Sequence, residues 1–473
     1  MRWLALGLAL LPAAAGASGL SVPVIGTSRS GPAHVDPAAA YWNPAQLGWL
    51  ARPTLLAGLS LLYLDADYTR VRRGRYAYED GLRFQTPVPE DDLDASRSGE
   101  ADPVRAWQIL AAPSGFGALP LGSDLVAGVG FFAPFGAQLD FPDDGAQRYA
   151  LDAVQLLVVE VAPAIAWHPR PSFTVGAGVG LVAGKLQLDR VQDLAGTPLL
   201  RDALGNPPIG QPNAFGPDAP SEVRELLVLS RPVRIGPAYG LTWAARAGAA
   251  WRPADDWLLG VSYTHRVPLT FRGAFRLDMN DPFFTQDLAA QGLQYPAIVR
   301  GKAEVEFPLP SSLHVGAAWQ ADTRWSLDVS GAWFRHSQVD ALTATLRSDS
   351  LVQPELGLGD TAEVRLPREW VDTFQVEVRA TRARDAGGYV GGLLGLHSGA
   401  SPDATLDVAS PDGPRVAAAA FVGWPVREWL LHGDAHLQYV LPRENKGSRH
   451  DLANGTYSLI VGALTVAATR SFE

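Results

Sequence analysis

The stretch LHGDAHLQY, residues 431–439, holds the chain's densest set of groups able to do chemistry. His432, Asp434 and His436 recur at every second position, so on an extended chain they share one face. Two imidazoles and a carboxylate so placed have a spacing that suits a metal ion. A serine hydrolase would need a serine, a histidine and an acid or amide gathered on one wall. No GxSxG, HExxH or phosphate-loop motif supports either chemistry. GAGVG at 176–180 has a nucleotide-loop look, but it lies inside a regularly alternating run, where small wall residues are the simpler reading. Three polar residues on the wet face of a strand need no catalytic role. The expectation is no enzyme, no metal and no cofactor.

Four cations form a second set. Lys185, Arg246, Arg266 and Arg379 read as lying on the polar sides of their strands, where a carboxylate-bearing ligand would find a counter-charge. Asp328, Glu377 and Asp434 are read as their partners, struts rather than catalysts.

What must position these groups is a set of strands. Period two recurs almost throughout: Trp257, Leu259, Val261 and Tyr263 oppose Gly260, Ser262 and Thr264, and Phe374, Val376 and Val378 oppose Gln375, Glu377 and Arg379. A soluble sandwich also alternates. Here, however, the alternating segments run about 9–11 residues, the length of a tilted bilayer crossing, against five or six for an ordinary strand. Tryptophans also flank tight polar turns, at 251 and 257, 319 and 325, 424 and 429, with Trp167 a half-version. Seven of the 14 therefore stand at strand ends, as an interfacial aromatic girdle requires. The expected fold is an all-β transmembrane antiparallel barrel.

Composition agrees. The chain begins MRWLALGLALLPAAAGA, a charged start, an apolar core and a small-residue cleavage site, so residues 1–17 read as a signal peptide. After it no apolar run is long enough for a spanning helix, yet 47% of residues are hydrophobic and only 19% charged. There is no cysteine, which excludes a disulfide scaffold. A formal charge of −10 gives no footing for nucleic-acid binding.

Short connections at 167–173, 252–256, 321–324, 382–388 and 425–428 alternate with long ones near 65–105, 189–235, 271–305, 337–368 and 398–415. Short turns face the periplasm and long loops face outward in such barrels. The basic stretch RVRRGRYAYEDGLR at 70–83 reads as a solvated outer loop, with lipopolysaccharide the partner a basic cluster there would face. Residues 18–52 lack alternation but carry Tyr41, Trp42, Leu47 and Trp49, so they read as a compact plug, with the barrel from 53 to 473.

One strand is spoiled in its middle: in FFAPFGAQLDF, Pro134 and Gly136 interrupt a well-patterned run. Proline cannot donate to a ladder and glycine weakens it. An ordinary β-bulge at a strand end would also use them.

DPAAAYWNPAQL resembles the N-terminal hatch of the FadL/TodX-type outer-membrane channels, with Asp36, a small-residue stretch, and Asn43-Pro44-Ala45. FFAPFG resembles the third strand of that family, and FPLPSSLHVGAAW followed by WSLDVSGAWFRHSQV its proline-led strand pair. TFQVEVRATR and TYSLIVGALTVAATRSF fit as well. The resemblance implies about 14 strands, a lumenal hatch, outer ligand-binding loops, and passive, ligand-gated uptake of hydrophobic molecules. It also implies a wall gap at the distorted third strand, through which ligand leaves sideways. Phe131, Phe132, Pro134, Phe135 and Gly136 would form that opening. Leu199, Leu200, Leu204, Phe215, Phe283, Phe284 and Leu293, in two long loops, would form the capture site. Basic lumen residues hold the carboxylate in fatty-acid carriers, so long-chain fatty acids and aromatic or alkane hydrocarbons both stand as cargo. A general porin and an outer-membrane lipid hydrolase are the rival readings. The partners expected are the hydrophobic ligand, outer-membrane lipid and lipopolysaccharide, and the barrel-assembly machinery, around a monomer.

Overall fold

The computed structural model describes residues 22–71, 75–76, 86–87, 102–193, 230–290, 295–352, 359–448 and 453–473. The expected signal segment, residues 1–17, lies outside them. Among the described residues fourteen antiparallel strands close into one ring. Six come first: β1 (Thr54–Arg70), β2 (Val104–Pro120), β3 (Leu125–Asp140), β4 (Ala153–Arg170), β5 (Phe173–Asp193) and β6 (Ser230–Trp251). Four interrupted strands follow. These are β7 (Trp257–Thr264, then Thr270–Asp278), β8 (Ile298–Glu306, then Ser312–Gln320), β9 (Trp325–Phe334, then Ala341–Arg347) and β10 (Thr361–Pro367, then Thr373–Ala383). The last four are β11 (Tyr389–His397), β12 (Arg415–Val426), β13 (Trp429–Asn445) and β14 (Gly455–Ser471).

Each strand pairs with the next, and β1 pairs with β14 from Thr54↔Ser471 to Arg70↔Gly455, so no sheet edge remains where the ring closes. Closure lets strands cross lipid, because backbone groups there find no water to bond. The outer face is apolar: Leu61, Val179, Leu241, Leu394 and Val466 are all exposed. Each such side chain gains roughly 1.5–3 kcal/mol on leaving water, so this surface is made for hydrocarbon. Trp251, Trp257, Trp319, Trp325 and Trp424 are exposed at the short-turn end, and Trp257 stacks on Trp319 at 6.0 Å. The expected girdle is there.

The strands run longer than expected. The segments 271–305 and 337–368, read as loops, are largely strand: the upper parts of β7 to β10 climb beyond the lipid belt. Their pattern hid them, because the apolar residues change sides. Below the breaks Val261, Val315 and Val376 face out; above them Phe271, Phe275, Val299, Val305 and Val364 are buried inside, while Arg272, Arg300 and Glu363 face out. In β7, β8 and β10 this is a one-residue switch of phase. The breaks themselves, 265–269, 307–311, 335–340 and 368–372, absorb it.

The interior therefore has two zones. The long-loop half is one continuous apolar cluster that includes Leu156, Leu186, Ile235, Phe271, Phe307 and Leu346. The short-turn half holds buried ionic and polar side chains, among them Glu160, Arg246, Arg379 and Asp434, between smaller apolar clusters, and residues 22–53 occupy it.

Candidate functional site

The N-terminal segment touches the ring on all sides. The Asn43 side chain donates to the Ala249 carbonyl on β6 (3.2 Å) and Ser262 of β7 donates to the Trp42 carbonyl (2.5 Å). Arg379 of β10 donates to the Ser28 carbonyl (3.0 Å), and the Ser28 amide donates to Asp434 of β13 (3.4 Å). Val24 packs with Leu62 of β1 and Ala463 of β14. A segment that reaches opposite walls lies within the ring.

Local chemistry shapes it. Asn43 ends the one-turn helix Ala39–Trp42 and caps the 3₁₀ turn Pro44–Trp49, its side-chain oxygen accepting from the Ala45 amide (3.2 Å). Its amide nitrogen donates to the Pro32 carbonyl at 3.0 Å. A residue so used must be a short amide, and proline at the first turn position loses no bond. Asp36 accepts from Ser30 at 2.6 Å, and burial raises its pKa to about 6.

The wall makes room with glycine. A Cβ at Gly176 would strike the Pro44–Ala45 backbone, one at Gly248 the Asn43 carboxamide, and one at Gly128 would lie 2.6 Å from Leu47 Cδ1. Gly176 of the GAGVG run and Gly248 beside it on β6 are the seat of Asn43-Pro44-Ala45.

At β3 the wall is incomplete. Pairing of β2 with β3 runs only from Pro120↔Val126 to Gly115↔Phe131. Beyond it β2 keeps only β1, and β3 keeps only β4. Ala133 and Pro134 bulge between the pairs Phe132↔Glu160 and Phe135↔Val158. The Pro134 carbonyl accepts instead from the Val22 amide (3.1 Å). Gly136 has open room, the nearest heavy atom 3.8 Å from an added Cβ.

The three phenylalanines divide. Phe131 faces outward, Phe135 packs on the upper apolar cluster, and Phe132 is buried inside, stacked on Phe116 at 5.7 Å and edge-on to Tyr41 at 4.8 Å. Arg246 lies over both rings, at 5.2 Å from Tyr41 and 5.7 Å from Phe132.

Of the four cations, two reach the lumen. Arg246 makes a buried bidentate pair with Glu160 (2.5 and 2.8 Å), and Arg379 bonds Glu377 (2.5 Å) and Ser330 (2.9 Å). The other two placements are corrected. Lys185 lies on the outer face, bonded to Gln155 at 2.7 Å; it is four residues from outward Leu181, so it shares that side. Arg266 is exposed in the break of β7, where Pro268 ends the alternation before it can turn the side chain inward.

Of the expected capture residues, Phe284 is buried in the upper apolar cluster beneath Arg231, 5.4 Å away. Phe283 opens the helical turn Phe283–Asp287. Leu199, Leu200, Leu204, Phe215 and Leu293 lie outside the described residues, as does most of 70–83. Glu160 was missed, although a lone acid in AVQLLVVEVAPAIAW marks a buried partner.

His432, Asp434 and His436 serve separate partners: His432 joins Tyr389 (2.5 Å) and Thr469 (2.8 Å), and Asp434 holds Ser28. Among the described residues no cluster could hold a metal.

Residues 8–458 match the family described as outer membrane protein transport protein (OMPP1/FadL/TodX). The fold is similar to that of a Pseudomonas aeruginosa FadL homologue (19% identity, 96% of this chain and 100% of that one, TM-score 0.73). It is also similar to the Pseudomonas putida toluene transporter TodX (15%, 98% and 98%, TM-score 0.64) and the Ralstonia pickettii toluene transporter TbuX (16%, 95% and 97%, TM-score 0.61). Among curated protein sequences there is no significant match.

Proposed function

The chain belongs to the outer-membrane transport protein family of OMPP1, FadL and TodX, and from that premise we propose that it carries uncharged aromatic or alkane molecules inward and releases them sideways between β2 and β3. Membership makes it an outer-membrane β-barrel transporter of hydrophobic compounds and not an enzyme. The single observation that carries lateral release is the end of β2–β3 pairing at Gly115 and Phe131. An apolar molecule in the upper half of the interior meets an apolar cluster. Below it meets a zone of buried ion pairs and residues 22–53, which act as a hatch. Leaving through the wall into hydrocarbon avoids desolvating that zone, and a hydrocarbon gains about 0.8 kcal/mol per methylene it keeps out of water.

The choice of an uncharged cargo rests on the two expected cations that face the lumen. Arg246 and Arg379 are each bound to a glutamate, so a carboxylate ligand seated on either would have to displace Glu160 or Glu377. Breaking such a buried pair costs about 3–5 kcal/mol. Solvent extraction of the purified protein followed by mass spectrometry, with uptake of labelled toluene and oleate by expressing cells, tests this. Toluene accumulation above vector control supports the reading, and uptake of oleate alone overturns it.

A further inference from the structure

We propose that the outer face of the wall above the apolar belt binds the phosphates of a glycolipid in the outer leaflet, through cations aligned on β5 to β9. The proposal rests on the outer-membrane location and is independent of the cargo. At the upper edge of the belt Lys185, Tyr239 and Arg272 stand opposite one another on β5, β6 and β7. Above them Arg276 stands opposite Arg234 on one side and Arg300 on the other. Beside these, Lys302 stands opposite Arg347. All but partly covered Lys185 are exposed.

Like charges directly opposite on adjacent strands repel, and this block places three arginines in a row. Neighbouring acids answer only some of them: Arg234 pairs with Asp189, Arg276 with Asp278 (3.0 Å) and Arg272 with Glu304 (2.9 Å). Arg300, Lys302 and Arg347 have no carboxylate partner among the described residues. Elsewhere on the rim the match is closer: Arg105 pairs with Asp65 (2.6 Å) and Asp67 (3.8 Å), and Arg443 with Asp403 (2.6 Å). A local surplus of positive charge on a chain of net charge −10 calls for an external anion. Directly above hydrocarbon that anion is a lipid phosphate, and arginine forks fit phosphate bidentately.

The processed protein, delipidated in uncharged detergent, is incubated with bisphosphorylated lipid A, monophosphoryl lipid A or phosphatidylglycerol and examined by native mass spectrometry. The wild type should retain the bisphosphorylated lipid at least tenfold better than either of the others. This comparison needs no variant. Arg300→Gln, Lys302→Gln and Arg347→Gln together should lower retention about tenfold, whereas Arg382→Gln, Arg384→Gln and Arg427→Gln, at the short-turn end, should leave it unchanged. Equal retention of the three lipids by the wild type, or undiminished retention by the first variant, overturns the proposal.

Discussion

Tyr41 of the N-terminal segment meets Phe132 of β3 edge to face, with ring centroids 4.8 Å apart and planes inclined by 68°. The contact joins the N-terminal segment to the strand whose pairing with β2 ends early. Phe132 is the last inward residue of β3 before its bulge, so a displacement of the helix Ala39–Trp42 would reach β3 through this contact. Replacing Phe132 with Ala removes both its stack on Phe116 and its contact with Tyr41. The expected cost is about 3–5 kcal/mol. Amide exchange at Tyr41 and Trp42 should quicken, read by hydrogen–deuterium mass spectrometry; unchanged exchange would uncouple the two.

Gly176→Val tests the seat. Its side chain would occupy the space of the Pro44–Ala45 backbone, whereas the roomy site at Gly136 accepts Ala. In planar bilayers Gly176→Val should pass ions steadily and Gly136→Ala should not. Both should keep the heat-modifiable gel mobility of a folded barrel. Equal, low conductance in the two would mean that the segment does not depend on this glycine.

The buried pair of Arg246 and Glu160 should behave asymmetrically. Arg246→Gln leaves a carboxylate uncompensated inside the wall and should destabilise the protein by about 3–5 kcal/mol in urea unfolding from lipid vesicles. Adding Glu160→Gln should recover at least half of that loss. A double variant as unstable as the single one would show that packing, not charge, sets the cost.

Asp36 and His34 give the seat opposing pH responses. Burial lifts Asp36 to about 6, against an unfolded 3.8, with Ser30 and Arg29 pulling the other way. The seated form therefore takes up a proton on acidification and gains stability as pH falls through about 6 toward 3.8. Burial, then Arg29, holds His34 well below 6.5, so its contribution is lost as pH falls below 6.5. In Asp36→Asn the contribution of Asp36 is gone while the histidine response remains. Exchange protection of residues 34–42 should then drop more steeply between about pH 7 and 5 than in the wild type. Identical profiles would remove Asp36 from the account.

Much of this was legible in the residues. The alternation in WLLGVSYT and TFQVEVRAT, the tryptophans beside tight turns and the interruption at Pro134 each express a local rule, and each appears as expected in the ring. The upper strands were not legible, because Phe271 and Val376 are both apolar yet face opposite sides, and only the break between strand halves explains why. Lys185 shares the outer side with Leu181, four residues before it, so the alternation itself keeps it out of the lumen. Glu160 was overlooked because a single acid in an apolar run becomes informative only once Arg246, 86 residues away, is brought across the sheet to it. The role of Gly176 and Gly248 depends on what they face, which composition cannot state.

Lateral release is tested most directly by uptake of labelled toluene through the double variant Pro134→Val, Gly136→Thr. The substitutions give β3 the donor and the side chain it lacks, so its pairing with β2 can extend past Gly115 and Phe131. Uptake should fall to the level of cells without the protein, while gel mobility still reports a folded barrel. Wild-type uptake in that folded variant would contradict a sideways exit.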